Sequence, residues 1–311
     1  MPGLAAVTGG TGFVGQHVVR ALAAEGWRLR LLVRGQPAGD MGEEPVELVP
    51  GSLEDEGSLG ALTEGADAVV HIAGKIKAIS RESFMAANAD GTARLLRARS
   101  ERAPDAPFVL MSSLAAREPG LSHYAASKAA AEDHVRASDG PWSILRPSAI
   151  YGPGDRETLA VFKMARLLVH PLLNSSEARV CLIHIDDVVS ATTAATRGAL
   201  PNATYELSDE HVDGYTWREI VGAACQTMET RPRPVRIPAA VVKTLGWAGD
   251  ILSGMTGSAE MLTSQKVREV LHPDWSSSRS AQPPCDTWSP QVDLAQGFGR
   301  TVASHRERGW L

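Results

Sequence analysis

Short apolar runs alternate with longer amphipathic or alanine-rich stretches through the first half of the chain. Six runs read as strands: 4–8 LAAVT, 28–33 RLRLLV, 46–49 VELV, 67–72 DAVVHI, 107–112 PFVLMS and 142–146 WSILR. Most are apolar nearly throughout, as strands covered on both faces are. The segments between them, at 13–25, 55–64, 82–101 and 123–137, read as helices. Such alternation predicts an α/β fold, a Rossmann doubly wound parallel sheet built by right-handed crossovers.

After residue 150 the alternation breaks down. Pro and Gly punctuate RPSAIYGPGD at 146–155 and RPRPVRIP at 231–238. Helices are predicted at 156–169, 187–197, 215–228, 238–254 and 258–271, with one short strand at 204–207 and a loop at 276–290. The expected organisation is a sheet domain over 1–150 and a smaller, mainly helical substrate-binding lobe over 151–311, within which the chain has room to return to the sheet.

The junction of the first strand and first helix carries the first chemistry. VTGGTGFVG at 7–15 sets Gly9, Gly12 and Gly15 in a GxxGxxG pattern, with Phe13 and Val14 opening the helix. Glycines there allow a tight turn, a close approach to pyrophosphate, and packing of helix on strand. The helix N-terminus then offers free N–H groups to phosphate charge. A dinucleotide is the predicted cofactor. At the end of the second strand, where an acid would bind the adenosine ribose and favour NAD, the chain has Arg34, and no acid follows before Asp40. A guanidinium suits a 2′-phosphate, so NADP is expected, with NAD as the alternative.

Composition narrows the field. The 311 residues carry a formal net charge of −5, which gives no electrostatic case for nucleic acid or an anionic membrane. Cys181, Cys225 and Cys285 are widely spaced, fitting a reducing compartment and offering neither a disulfide framework nor a zinc site; no metal is expected. The apolar run at 4–10 begins almost at the first residue, and no run of ~18 uncharged apolar residues follows. The expectation is a cytoplasmic protein with a small-molecule substrate and no membrane span.

Tyr124 and Lys128, in SHYAASK at 122–128, stand one helical turn apart on one face. A phenol of pKa ~10 is a poor proton donor near neutrality. A neighbouring ammonium favours phenolate and draws that pKa towards the working range.

In order along the chain stand TGGTGFVG, HIAG at 71–74, NADGT at 88–92, MSS at 111–113, YAASK at 124–128 and RPSAIYGPGD. Together they resemble the extended short-chain dehydrogenase/reductase family, which includes NAD-dependent epimerases, dehydratases and dihydroflavonol-reductase-like enzymes. LIHIDDVVSA at 182–191 and TWREIVGAA at 216–224 are similar to that family's second lobe. The resemblance implies a catalytic set of Ser113, Tyr124 and Lys128, with Asn88 beside the cofactor and Ser112 behind Ser113. It implies that Lys128 also bonds the nicotinamide ribose. Ala73 and Gly74 would let the dinucleotide lie close, and Pro147, Ser148 and Ile150 would pass the carboxamide. Ser52, with Leu53 beside it, replaces the aspartate that commonly faces the adenine. His71 reads as structural, and Asp186 and Asp187 as helix-capping acids that tie the lobes together. A homodimer through the helices at 82–101 and 123–137 is the family's habit.

Three departures bear on substrate. Ala149 stands where many sugar-nucleotide members have asparagine. LLNSSEARVCLIHIDD at 172–187 replaces a Gly-rich stretch, leaving Arg179 readable as a diphosphate contact or as a surface charge. Leu114 and Ala115 stand where dehydratases carry an acid pair, which excludes dehydration by such a pair. Residues 74–84 and 152–160 are expected to line the substrate pocket. The function so predicted is NAD(P)-dependent hydride transfer to or from a ketone, aldehyde or secondary alcohol by a Ser-Tyr-Lys mechanism. The alternatives are a nucleotide-sugar 4-epimerase and a non-catalytic cofactor-binding subunit similar to the atypical members associated with respiratory complex I.

Overall fold

The computed structural model describes residues 3–35, 46–167, 169–172, 178–231, 233–236, 243–244 and 263–311. A seven-stranded sheet dominates it. Its first six strands are β1 (Leu4–Thr8), β2 (Arg28–Val33), β3 (Val46–Pro50), β4 (Ala68–His71), β5 (Phe108–Met111) and β6 (Trp142–Pro147). In space the order is Ala203–Leu207, β6, β5, β4, β1, β2, β3. β1 pairs in parallel with both β2 and β4, and the parallel pairing runs outward through β3 on one side and β5 and β6 on the other. The order reverses between β1 and β4. In a doubly wound sheet a ligand binds outside the strand ends at that switch point.

The intervening helices are α1 (Phe13–Ala24), α2 (Glu56–Thr63), α3 (Arg81–Phe84), α4 (Gly91–Arg102) and α5 (His123–Arg136). Every strand and helix predicted in the first half is present. One irregularity was not foreseen: Met85–Asp90 forms a π-helical turn joining α3 to α4. Such turns insert an extra residue and re-aim the side chains around them.

The chain divides into two compact units. One holds Met1–Arg146, Val189–Tyr205 and Pro283–Trp288; the other holds Pro147–Val188, Glu206–Gln282 and Ser289–Leu311. The core of the sheet unit contains Leu59, Leu62, Leu95, Phe108 and Ile144, all fully buried. Each such side chain contributes roughly 2–3 kcal/mol of transfer free energy. The second unit packs Tyr151, Phe162 and Phe298 edge to face, with centroids 5.2 Å and 5.0 Å apart for the two contacts of Phe298.

The second unit departs from the predicted elements in several places, among them short parallel strand pairs that were not predicted, such as Ala149–Tyr151 with Leu182–His184. The helix expected at 156–169 is confined to Leu159–Ala165. Asp155 accepts from the backbone N–H of Glu157 and Thr158 and from the Thr158 hydroxyl, building a turn that delays the helix. A helix over Leu294–Glu307 was missed because Gly297 and Gly299 lower its propensity. Gly297 is required there: a Cβ would lie 2.4 Å from the Tyr151 hydroxyl. The predicted helix at 238–254 falls almost wholly outside the described residues, as does Asp40.

Candidate functional site

The glycine loop forms as its spacing requires. Gly9 adopts φ +75°, and a Cβ on it would meet the Ala73 nitrogen at 2.5 Å. The β1 end is thereby held against the segment that follows β4, at the switch point of the sheet. A Cβ on Gly15 would fall 2.0 Å from the Gly9 carbonyl oxygen. Gly12 stands at the N-cap of α1 with no side-chain capping bond, and no acid occupies the first turn. Free N–H groups and a positive helix end without a competing carboxylate suit a pyrophosphate. Phe13 and Val14 are half-buried in that turn, and Phe13 packs edge-on against His17 at 5.7 Å.

Register builds the next layer. Thr8 and His71 are neighbours across β1 and β4, and the Thr8 hydroxyl lies 2.6 Å from His71 Nδ1. His71 Nε2 lies 3.0 Å from the Thr92 hydroxyl, which donates to the Asn88 carbonyl at 2.6 Å. With the Thr92 proton so used, His71 must donate from Nε2 and accept from Thr8 at Nδ1. Thr8 in turn accepts from the Ala73 N–H at 3.3 Å. The relay is complete only with a neutral imidazole. Burial, seconded by the Lys128 charge, pushes the His71 pKa down to about 3. His71 is structural, as the sequence suggested, and what it fixes is the site.

Asn88, buried on the π turn, clamps the chain after β4. Its Oδ1 accepts from the Lys75 N–H at 2.7 Å, and its Nδ2 donates to the Lys75 carbonyl at 3.0 Å and to the Ser127 hydroxyl at 2.9 Å. A Cβ on Gly74 would lie 3.0 Å from Asn88 Oδ1 and 3.7 Å from Lys128 Nζ. Gly74, Asn88 and Lys128 therefore share one corner. Ala73 is half-buried beside it.

Ser122 caps α5 by accepting from the Ala125 N–H at 3.0 Å, which sets Tyr124 and Lys128 on successive turns. Tyr124 is half-buried, its ring edge-on to Phe84 at 6.2 Å. Lys128 is buried and donates to the Met111 carbonyl at 2.6 Å, its one hydrogen-bond acceptor among the described residues. Two N–H bonds of that ammonium remain for further acceptors. Burial pulls the Lys128 pKa down to about 8, and the Glu132 charge opposes that fall. Ser113, two residues past β5, is half-buried, and its hydroxyl accepts from the Ala115 N–H at 3.2 Å.

Glu132 was missed in the sequence, although it repeats the four-residue spacing from Lys128. Its buried carboxylate accepts from the Ser112 hydroxyl at 2.5 Å, from Arg146 at 2.8 and 2.6 Å, and from Arg136 at 2.6 Å. It therefore holds the residue beside Ser113 and supports Lys128 at once.

The other predicted residues make contacts within their own units. Arg34 is exposed at the C-terminal end of β2. The Ser52 hydroxyl accepts from the Glu54 N–H at 3.2 Å, and Leu53 packs on the core of the sheet unit. Pro147, Ser148 and Ile150 belong to the second unit. There Pro147 and Ser148 are buried, the Ser148 N–H donates to the Leu207 carbonyl at 2.9 Å, and Ile150 pairs with Ile183. Arg179 pairs with Glu219 at 3.8 Å and donates to the Gly214 carbonyl at 3.4 Å, the surface-charge reading of that residue. Asp187 accepts from the backbone N–H of Gln291 and Val292, while Asp186 pairs with Arg300 at 3.0 Å; both acids do tertiary work within the second unit. Among the described residues no cluster of His, Cys, Asp or Glu is placed to hold a metal ion, and no helix is long and apolar enough to cross a membrane.

Comparison with known proteins agrees with this layout. Residues 5–207 match the NAD dependent epimerase/dehydratase family. The ceramide reductase of Caulobacter vibrioides is 44% identical over 311 residues, covering 99% of this chain and 96% of that protein. Two solved structures share the fold: gox2253, with a TM-score of 0.76 at 23% identity over 100% of this chain and 99% of that one, and the Bordetella bronchiseptica enzyme WbmG in complex with NAD and UDP, with a TM-score of 0.71 at 16% identity over 100% and 96%. On the glycine loop, the sheet order and a family match spanning the whole sheet region, the chain belongs to the NAD-dependent epimerase/dehydratase family and is an enzyme of the extended short-chain dehydrogenase/reductase type.

Proposed function

We propose that this enzyme reduces a ketone on a ceramide-class lipid with NADPH, through Tyr124, Lys128 and Ser113. The observation that carries the chemistry is the buried Lys128 ammonium one turn from Tyr124 on α5. A nicotinamide cofactor held at this corner would supply the hydride for the carbonyl carbon. Tyr124 gives its proton to the carbonyl oxygen, so that ketone and hydride become a secondary alcohol. The Ser113 hydroxyl orients that oxygen. Lys128 favours the phenolate left on Tyr124 and bonds the nicotinamide ribose. Asn88 keeps the chain after β4 in place and leaves the Gly74 corner open to the cofactor.

The lipid assignment rests on the 44% identity to a protein named for ceramide reduction. A ceramide carries a secondary alcohol, whose oxidised form is the ketone this chemistry needs. Ala149 in place of the sugar-nucleotide asparagine, and the engagement of Arg179 with Glu219, favour this over sugar epimerisation. Arg34, exposed at the end of β2, is the group proposed to select the 2′-phosphate. Within this reading the enzyme works in the cytoplasm, consistent with three free cysteines, and pairs as a homodimer through α4 and α5.

The test is net oxidation of NADPH with a keto-ceramide in mixed micelles, product identified by mass spectrometry. Tyr124→Phe should lower turnover by about 10²–10⁴-fold. Interconversion of UDP-sugars without net cofactor change would replace this reading with epimerisation. Arg34→Ala should cost NADPH binding about tenfold and leave NADH binding unchanged.

A further inference from the structure

The two most exposed large hydrophobic side chains among the described residues lie on one loop. Ile76 is 61% exposed and Ile79 is 55% exposed, both between β4 and α3. The loop is tied down at each end. Asn88 grips the Lys75 backbone on both sides, and Ser80 caps α3 by accepting from the Ser83 N–H at 3.2 Å. Ile76 and Ile79 are therefore presented by a short, clamped tip and not by a trailing segment. Residues 74–84 also hold Lys75, Lys77 and Arg81 against the single acid Glu82, in a protein whose formal net charge is −5. All three cations are exposed, with Lys75 Nζ donating to the Ser83 hydroxyl at 2.9 Å. The overall charge gives no reason for attraction to an anionic surface; this tip is locally of the opposite sign.

We propose that the tip around Ile76 and Ile79 docks the enzyme on an anionic bilayer surface, the isoleucines entering the headgroup boundary and Lys75, Lys77 and Arg81 facing lipid charge. Apolar residues ringed by cations have the composition of an interfacial anchor, whose strength adds buried apolar area to attraction for anionic lipid. The loop starts at Gly74, beside Asn88 and Lys128, so docking brings the bilayer to the site. The choice of a bilayer over a protein partner rests on the reading of a ceramide-class substrate, which resides in membranes.

The test is flotation of the full-length protein with vesicles containing no ceramide, either pure phosphatidylcholine or phosphatidylcholine with phosphatidylglycerol. Binding to the anionic vesicles is expected, falling with salt. Ile76→Ser with Ile79→Ser should weaken it about tenfold or more. Lys77→Gln and Arg81→Gln should each weaken it about fivefold. An unchanged thermal shift with NADPH shows that the variants are folded. No vesicle binding, equal binding to neutral vesicles, or binding indifferent to all these substitutions overturns the proposal. Turnover of keto-ceramide in micelles is read separately: turnover without vesicle binding removes the docking and keeps the reductase, whereas vesicle binding without turnover keeps the docking and removes the proposed substrate.

Discussion

The His71 relay makes stability depend on pH in a way that one substitution isolates. The imidazole is buried and must be neutral, since it accepts from Thr8 at Nδ1 while donating to Thr92 from Nε2. Its pKa falls from 6.5 to about 3 in the folded chain. Between those values only the unfolded chain takes the proton, so stability is fully present above pH ~6.5 and is lost as pH falls towards ~3. The slope approaches ~1.4 kcal/mol per pH unit, and the loss between pH 7 and pH 5 is about 2 kcal/mol. Urea unfolding of wild type and His71→Gln at these two pH values measures it. Other titrating groups act on both proteins, so the difference between their pH responses isolates His71. The wild type should lose about 2 kcal/mol more than the variant across this interval. Equal losses would refute the neutral relay and with it the inferred hydrogen-bond directions.

Lys128, with its pKa near 8, is protonated at pH 7 and loses its proton as pH rises through about 8; cofactor affinity of the wild type should fall over that range, and Lys128→Met, measured by titration calorimetry, should abolish the dependence. Glu132→Gln removes the charge that opposes the effect of burial on Lys128, so the pH profile of cofactor binding should move to more acid values. The same change removes the carboxylate shared by Arg146 and Arg136, of which Arg136 still pairs with Asp133, and should cost about 3 kcal/mol in urea unfolding; an unshifted profile would limit Glu132 to a structural role. Gly15→Ala places a Cβ 2.0 Å from the Gly9 carbonyl oxygen and should abolish cofactor binding by thermal shift, whereas Gly120→Ala, which meets nothing within 4 Å, should leave it intact.

Much of the sheet unit was legible because its signals are local. Apolar strands between helical segments, glycines where backbone must approach backbone, and a tyrosine and lysine one turn apart are all set by neighbours within a few residues. The π turn at Met85–Asp90 was not legible, since nothing in MAANAD announces the extra residue. The helix at Leu294–Glu307 was hidden by Gly297, whose reason is Tyr151, distant in sequence.

The sequence alone determined the order of strands and helices in the sheet unit, the glycine loop, and the candidates Ser113, Tyr124, Lys128 and Asn88. Only the tertiary structure decided what surrounds them: His71 neutral between Thr8 and Thr92, Asn88 clamped on Lys75, and Glu132 buried beneath Ser112 and Lys128. Propensity and spacing act along the chain, but burial and charge act through space, between residues twenty to sixty positions apart. That is why the candidate catalytic groups could be named from the sequence and their protonation could not.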